Sequence, residues 1–557
     1  MLDWLKGKGL PGQTPKYVFV VGGVMSGIGK GVVTSGIARI LKAKGFKVTA
    51  IKIDPYINVD AGTMNPTEHG EVFVLEDGYE TDQDMGNYER FLGETLPNIN
   101  YMTTGRVYQE VIRRERNLEY KGKNVEVVPD IPLEVIRRIE EAQKTANAEI
   151  TLTEVGGTIG EYQNIIFLEA ARMMKQKYPH DVAIVMVSYV PIPGHVGEMK
   201  TKPTQYAARS LNAVGLQADV IMARASRPID QKRKEKIAVF CNTLPERVIS
   251  APDVESIYDV PINYEKDGLG DILTDILGLP KRKTDLGDWE TFVQKSKSAT
   301  RELKVAVVGK YFDTGEFTLA DSYISVLEAL KHAGAHQGAK VKISYINSKD
   351  FESGARKVEE LKDFDGVVVP GGFGEKGIDG ILSVIRFARE NKIPYFGLCY
   401  GMQLAVVEYA RNVVGLEGAN TVETDPGSVH PIIDVMPDQK EKLIKQDYGG
   451  TMRLGTYKAV LTDGTIAKEA YGKSEVDERH RHRYEVNPEY IEKLEQGGLI
   501  FSGRSPSGKL MEIAELPKDK HPFYLGTQFH PELLSRPLGP HPLFMAFVKI
   551  ALAGAKN

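Results

Sequence analysis

A chain of 557 residues is too long for one hydrophobic core, because domains usually hold ~100–200 residues. Its 42% hydrophobic and 26% charged residues are those of an ordinary globular protein, and a net charge of −4 lacks the basic excess that nucleic-acid binding needs. Two cysteines exclude a disulfide framework, "MLDWLKGKGLPGQTPK" has no signal-peptide core, and no run of ~18 apolar residues spans a membrane, so a cytoplasmic protein is expected.

The first part of the chain alternates short β-branched runs with helical patterns. "KYVFVVGGV" leads through "GKGVVTSGIARILKAKG" to "KVTAIKID", and "EITLTEVGG", "DVAIVMVSYV" and "ADVIMARAS" follow. Such alternation predicts a parallel sheet covered by helices on both faces. The rhythm is lost in the charged stretch "KRKTDLGDWETFVQKSKSATREL", read as a linker with one short helix. A second α/β series then runs through "KVAVVGKY", "VKISYIN", "FDGVVVPGGFG", "PYFGLC" and "FYLGTQFHPE". The expectation is two doubly wound α/β domains, at residues 1–280 and 303–557, joined by a linker at 281–302.

Within the first domain, "GGVMSGIGKGVV" follows a strand and opens a helix, so its backbone N–H groups and Lys30 are suited to cradling phosphates. It is not a regular G-x-x-x-x-G-K-[ST] loop: Val24 occupies the first glycine position and Gly31 the hydroxyl position. Carboxylates must then hold any Mg²⁺. The candidates are Asp82 and Asp84, read as sharing one face of an extended "ETDQDMG", and Glu154 at the end of a strand. Lys200, Lys202, Thr204 and Gln205 in "EMKTKPTQ" form a donor set suited to a second polyphosphate, or simply an exposed loop.

In the second domain, "GLCYG" places Cys399 between Gly397 and Gly401 where a strand gives way to a helix. Glycines permit a tight bend there, and the helix N-terminus favours thiolate. The same pattern also fits a packed turn. In "TQFHPE", His530 and Glu532 stand two apart in what reads as an extended run, which suits a base and its orienting carboxylate. Pro370 to Gly374 can turn backbone N–H groups toward an oxyanion. Cys241, in the apolar "IAVFCNT", reads as a structural thiol.

These three segments, in this order, resemble the class I glutamine amidotransferases over roughly residues 303–550. The resemblance implies that Cys399 attacks the glutamine amide with His530 as base and Glu532 as orienter. It also implies an oxyanion hole from the N–H groups of Gly372 and Tyr400, the latter standing where many members carry leucine. The product is ammonia, which the first domain should consume.

"KIDPYINVDAGTMNPTEHGEVFVLEDGYETDQDMGNYERF", "KTKPTQ" and "RHRHRYEVN" resemble the CTP synthases over nearly the whole chain. That family transfers a phosphoryl group from ATP to the uracil 4-oxygen of UTP, and ammonia displaces it to give CTP. The resemblance implies ATP contacts from Gly27, Ile28, Gly29, Lys30, Gly31, Val32, Asp84, Asp253 and Val254, with Lys52 supporting phosphoryl transfer and Asp84 and Glu154 holding Mg²⁺. UTP, or CTP as feedback inhibitor, is expected at Ser26, at Glu161, Tyr162 and Gln163, at Lys200, Thr201, Lys202, Pro203, Thr204 and Gln205, and at Lys236. Glutamine is expected against Gly372, Tyr400, Gly401, Met402, Gln403, Glu423 and Arg481. GTP as activator, an internal ammonia passage and a homotetramer are further implications.

The chain departs from the family pattern in three places. Glu161-Tyr162-Gln163 stands where Asp-Ile-Glu is usual, which bears on feedback by CTP. Pro252 replaces a common lysine beside the adenine site, and Asp130 replaces a common histidine. His480 and His482 alternate in "RHRHRY" but lack the further ligands of a metal site. Two other readings compete: a different ATP-dependent amidoligase with a fused glutaminase, which the "KTKPTQ" set disfavours, and a silent nucleotide-sensing scaffold, which has no use for Cys399, His530, Glu532 and Lys30.

Overall fold

The computed structural model describes residues 14–194, 197–312, 320–436, 439, 442 and 449–555. The chain forms two compact units. The first comprises residues 1–60 and 87–293, and the second residues 61–86 and 294–557.

The first unit is built on a seven-stranded parallel sheet. Its strands lie in the spatial order Tyr101–Thr103, Val48–Asp54, Ile150–Val155, Lys16–Gly23, Val182–Tyr189, Val220–Ala225 and Val248–Pro252. The five strands expected from β-branched runs are all present, and the central ones are buried along their whole length, as a sheet covered on both faces requires. Short Tyr101–Thr103 and Val248–Pro252 extend the sheet at its edges. The helix Gly287–Ser298 occupies the stretch read as a linker and buries Trp289, whose indole N–H donates to Tyr258 O at 2.7 Å.

The second unit has a nine-stranded mixed sheet. Five parallel strands, Ala339–Asn347, Arg301–Gly309, Gly366–Val369, Tyr395–Leu398 and Tyr524–Thr527, correspond to the five runs read from the sequence. Four antiparallel strands continue it: Met511–Glu515, Ile500–Arg504, Arg453–Leu461 and Glu475–His482. The segment 61–86 also belongs here. It carries the hairpin Val72–Val74 and Glu80–Asp82 and is held by the last strand, where fully buried Arg479 donates to Val74 O at 3.1 Å.

One local expectation is corrected. Asp82 and Asp84 do not share a strand face, because Asp82 ends its strand and accepts the Asp84 N–H on its Oδ1 at 2.9 Å. That side-chain turn starts the helix Asp84–Leu92. Asp130 gains a role: its carboxylate accepts the Glu126 N–H at 2.8 Å, satisfying a backbone donor at the start of the helix Val127–Thr145.

Candidate active site

In the first unit, the turn between Lys16–Gly23 and the helix Lys30–Ala43 takes positive φ at Val24, Gly27 and Gly29. A β-branched valine at φ 81° is a strained position of the kind that gathers at ligand sites. Gly22 and Gly23 are needed for space: a Cβ on the first would meet Lys30 Cδ at 2.8 Å, and on the second Ala207 Cβ at 2.4 Å. Lys30 is thereby folded over the turn, and its Nζ donates to Gly157 O at 3.0 Å. Ser26 and Ile28 complete the turn, while Gly31 and Val32 enter the helix.

Three charged groups gather at the ends of two neighbouring strands. Lys52 Nζ lies 3.3 Å from Glu154 Oε1 and 3.5 Å from Asp54 Oδ1, and Tyr88 donates its hydroxyl to Glu154. All three charged side chains are buried, and Asp54 Oδ2 has no hydrogen-bond partner. Asp54 was not singled out from the sequence, although it stands two residues from Lys52, on the same side of the strand. An orphaned carboxylate oxygen beside a second carboxylate suits a hard cation that takes one or two protein carboxylates and completes its shell with phosphate and water. Among the described residues no group of three metal-holding side chains assembles. Asp84 lies in the segment that belongs to the other unit.

Asp253 accepts from Arg224 NH2 at 2.9 Å, and Arg224 Nε lies 3.9 Å from where a Cβ on Gly29 would sit. Asp253, which follows Val248–Pro252, is thus linked through Arg224 to the phosphate-type turn, and Val254 comes next in the chain. The "KTKPTQ" segment is partly helix: Lys202–Ala213 begins inside it, with Pro203 in its first turn. Thr201, Thr204 and Gln205 are buried, and Gln205 Nε2 donates to Thr201 Oγ1 at 3.1 Å. Lys202 stays exposed over the Phe240 ring, Lys200 pairs with Glu198, and Lys236 is exposed on the helix Gln231–Cys241. Glu161, Tyr162 and Gln163 are exposed at a 3-10 turn, with Glu161 accepting the Thr158 N–H. Cys241 is buried, and burial pushes its thiol up to about 11.

The second unit brings its three predicted catalytic side chains together. Cys399 has φ 51° and ψ −99°, a strained corner held by its N–H to Thr527 O at 2.6 Å and by Gln403 N–H to Cys399 O at 3.1 Å. The flanking glycines serve close approach: a Cβ on Gly401 would meet Val369 O at 2.2 Å, and one on Gly397 would meet Gly401 C at 2.7 Å. This is the geometry of a nucleophile elbow.

His530 and Glu532 meet by a different route from the extended run expected. His530 caps a short 3-10 turn, Pro531–Leu534, and that turn folds Glu532 back so that His530 Nδ1 donates to Oε1 at 2.7 Å. Proline after the histidine fixes the bend. A Cβ on Gly371 would lie 2.9 Å from His530 Cε1 and 3.7 Å from Cys399 Cβ, so base and nucleophile close over one glycine. Burial alone would lower the imidazole, but the charges of Glu532 and Cys399, with the hydrogen bond to Glu532, raise it to about 10.

The loop 371–374 is clamped. Tyr311 OH accepts the Phe373 N–H at 2.9 Å, Glu423 Oε1 accepts the Gly374 N–H at 2.8 Å, and Tyr400 OH donates to Gly374 O at 3.2 Å, where Lys310 also donates. Burial raises Glu423, against the Gly374 N–H and Lys310, and lowers Lys310 to about 8. Tyr400 is the first residue of its helix, where backbone N–H groups have no intrahelical acceptor.

A cavity of about 60 Å³ opens beside Cys399, His530, Glu532, Gly372 and Arg481. Arg481 Nε donates to Glu80 Oε1 at 2.7 Å and its guanidinium lies over the Phe373 ring. Of the other predicted glutamine contacts, Met402 is fully buried, close under Gly526, and Gln403 uses its amide on Tyr484 O and Gln528. Sequence reading missed Glu80, Lys310, Tyr311 and Gln528. The first lies about four hundred residues from Arg481, Lys310 and Tyr311 lack any motif of their own, and Gln528 stands in "TQFHPE" two residues ahead of the pair that drew the reading. His480 and His482 are buried and touch ring to ring, Nδ1 to Nε2 at 3.0 Å, and burial pulls both well below the usual histidine range.

Residues 16–279 match the family model described as CTP synthase N-terminus, and residues 318–550 match glutamine amidotransferase class-I. The CTP synthase of Methanocaldococcus jannaschii is 48% identical over 548 residues, covering 96% of this chain and 98% of that protein. That of Pyrococcus furiosus is 50% identical over 538 residues, with the same two coverages. A solved glutaminase domain of Trypanosoma brucei CTPS with bound acivicin is 35% identical and covers 46% of this chain and 96% of its own, with a TM-score of 0.41. No helix among the described residues is long and apolar enough to cross a membrane. A synthase-type parallel sheet followed by a glutaminase elbow, matched along almost its full length at about half identity, places the chain in the CTP synthase family of glutamine-hydrolysing ligases.

Proposed function

We propose that the chain converts UTP to CTP, using ATP and the ammonia it releases from glutamine. In the second unit Cys399 Sγ adds to the side-chain amide carbon of glutamine. The negative charge on the amide oxygen falls to the N–H groups of Gly372 and Tyr400, and His530 passes its proton to departing ammonia. Water then releases glutamate from the thioester, with Glu532 holding the imidazole in one orientation throughout. The observation that carries this reading is the strained Cys399, sharing Gly371 with a His530 whose other nitrogen meets Glu532 at 2.7 Å.

In the first unit the turn at Ser26 to Val32, with Lys30, takes the triphosphates, and Lys52 neutralises charge moving onto the transferred phosphoryl group. A carbonyl oxygen is a poor leaving group until it is phosphorylated, and fixed cations lower the cost of that transfer. Glu154, with Asp54 beside it, would hold Mg²⁺, which when bound would supply charge neutralisation on the phosphates. Lys200, Lys202 and Lys236 receive the UTP phosphates, and CTP takes the same groups as feedback inhibitor. GTP as activator and a homotetramer complete the proposal.

The test is the absorbance change on mixing UTP, ATP, Mg²⁺ and glutamine. Cys399→Ala is expected to abolish the glutamine-driven reaction and leave the ammonia-driven one. A wild-type protein inert with both nitrogen sources would reject the reading.

A further inference from the structure

Beyond the three catalytic side chains, one buried amide touches the nucleophile. Gln528 Nε2 lies 3.5 Å from Cys399 Sγ, and neither residue reaches solvent appreciably. An amide can be turned either way, so the question is which end faces sulfur. The surrounding contacts decide it. Tyr484 O is a carbonyl and can only accept, so the end of Gln403 at 3.0 Å from it must be the NH₂ group. That same NH₂ lies 3.1 Å from the Gln528 side chain, whose near end must therefore be oxygen. The far end of Gln528, which meets Sγ, is then its NH₂ group. The Gln528 backbone is fixed as well, its N–H donating to Glu512 O at 2.8 Å.

We propose that Gln528 is a positioning residue for the nucleophile: the chain Tyr484 O, Gln403, Gln528 aims a fixed N–H donor at Cys399 Sγ and so holds sulfur in its anionic, attacking form. The neutral thiol contributes a second contact, to Arg481 O at 3.8 Å, which turns repulsive once the proton has left. A donor on the other side of sulfur offsets that repulsion, and hydrogen bonds to a charged acceptor are the stronger kind. Gln403, expected from family resemblance to touch glutamine, thus acts here through Gln528. The inference rests on the reading of Cys399 as nucleophile.

The experiment is iodoacetamide alkylation of the full chain across pH, with labelling at Cys399 and Cys241 separated by mass spectrometry. In Gln528→Met the midpoint of the Cys399 pH–rate curve is expected to move up by about one unit, with about a tenfold loss of kcat for glutamine hydrolysis and little change in KM. A merely structural role would not move that midpoint. A folded Gln528→Met protein with an unmoved midpoint overturns the proposal. If that variant fails to fold, Gln403→Met decides on the same terms, since it frees the Gln528 amide to rotate, and a threefold slowing at neutral pH is expected. Wild-type Cys399 labelling no faster than Cys241 would instead overturn the reading of Cys399 itself.

Discussion

Arg481 Nε donates to Glu80 Oε1 at 2.7 Å, joining a half-buried guanidinium to a buried carboxylate of the same unit although most of the sequence lies between them. Glu80 is 1% exposed, so its charge is balanced by Arg481 rather than by water. Glu80→Gln should keep the shape and loosen the guanidinium, raising KM for glutamine several-fold with kcat largely kept. Glu80→Ala leaves a mostly buried cation without its carboxylate and should cost about 3 kcal/mol, seen as a lower melting temperature.

His530 is held up to about 10 because Glu532 and Cys399 outweigh its burial. A histidine raised in the folded state stabilises fully below its ordinary ~6.5 and loses that contribution as pH rises to about 10. Glu532→Gln removes the larger of the two supporting charges. The alkaline limb of glutamine hydrolysis should therefore move to lower pH. The melting-temperature gap between wild type and variant should be widest near pH 6 and close toward pH 10, as a pH series of thermal melts will record.

Lys310 is lowered to about 8 by burial, against the pull of Glu423. The unfolded chain binds its proton more tightly, so this lysine lets stability rise with pH between about 8 and the ordinary ~10.4. Lys310→Met removes a charge that burial penalises and should raise the melting temperature at pH 7 by roughly 2 °C. The same change leaves Gly374 O to the Tyr400 hydroxyl alone and should slow glutamine turnover about tenfold, since the oxyanion loop loses one of its clamps.

Gly401→Ala would push a Cβ to 2.2 Å from Val369 O, which is backbone and cannot move aside. The elbow must then shift, at a cost of about 3 kcal/mol, typical of overpacking. Glutamine hydrolysis should be lost more completely than melting temperature would suggest, because displacement by an ångström ruins the alignment of sulfur and imidazole. Parallel activity and thermal-melt measurements check this.

The parts of the molecule that were legible are those whose cause is local. "GLCYG" signals an elbow because only glycine tolerates backbone at these distances on both sides of Cys399. Three parallel strands of the second unit, Gly366–Val369, Tyr395–Leu398 and Tyr524–Thr527, announce themselves as short apolar runs, since they are buried along their whole length. The antiparallel strands Arg453–Leu461 and Glu475–His482 did not. The second of them is heavily charged, and its buried Arg479 donates to Val74 O, about four hundred residues away. "TQFHPE" pointed to the right pair through the wrong shape, because a two-residue spacing serves a strand and a tight 3-10 turn alike. The Gln403–Gln528 relay was invisible, since two glutamines acquire a direction only when a carbonyl fixes one end.

The assignment of residues 61–86 to the same unit as residues 294–557 has a practical corollary. The polypeptide enters the glutaminase half, leaves it, and returns some two hundred residues later, so no single cut releases that half whole. A fragment begun at residue 294 would carry Cys399, His530 and Glu532 but forfeit Glu80, and with it the counter-charge of Arg481. Under the glutamine contact that family resemblance implies for Arg481, such a truncated piece would keep its chemistry and lose its grip on the amino acid.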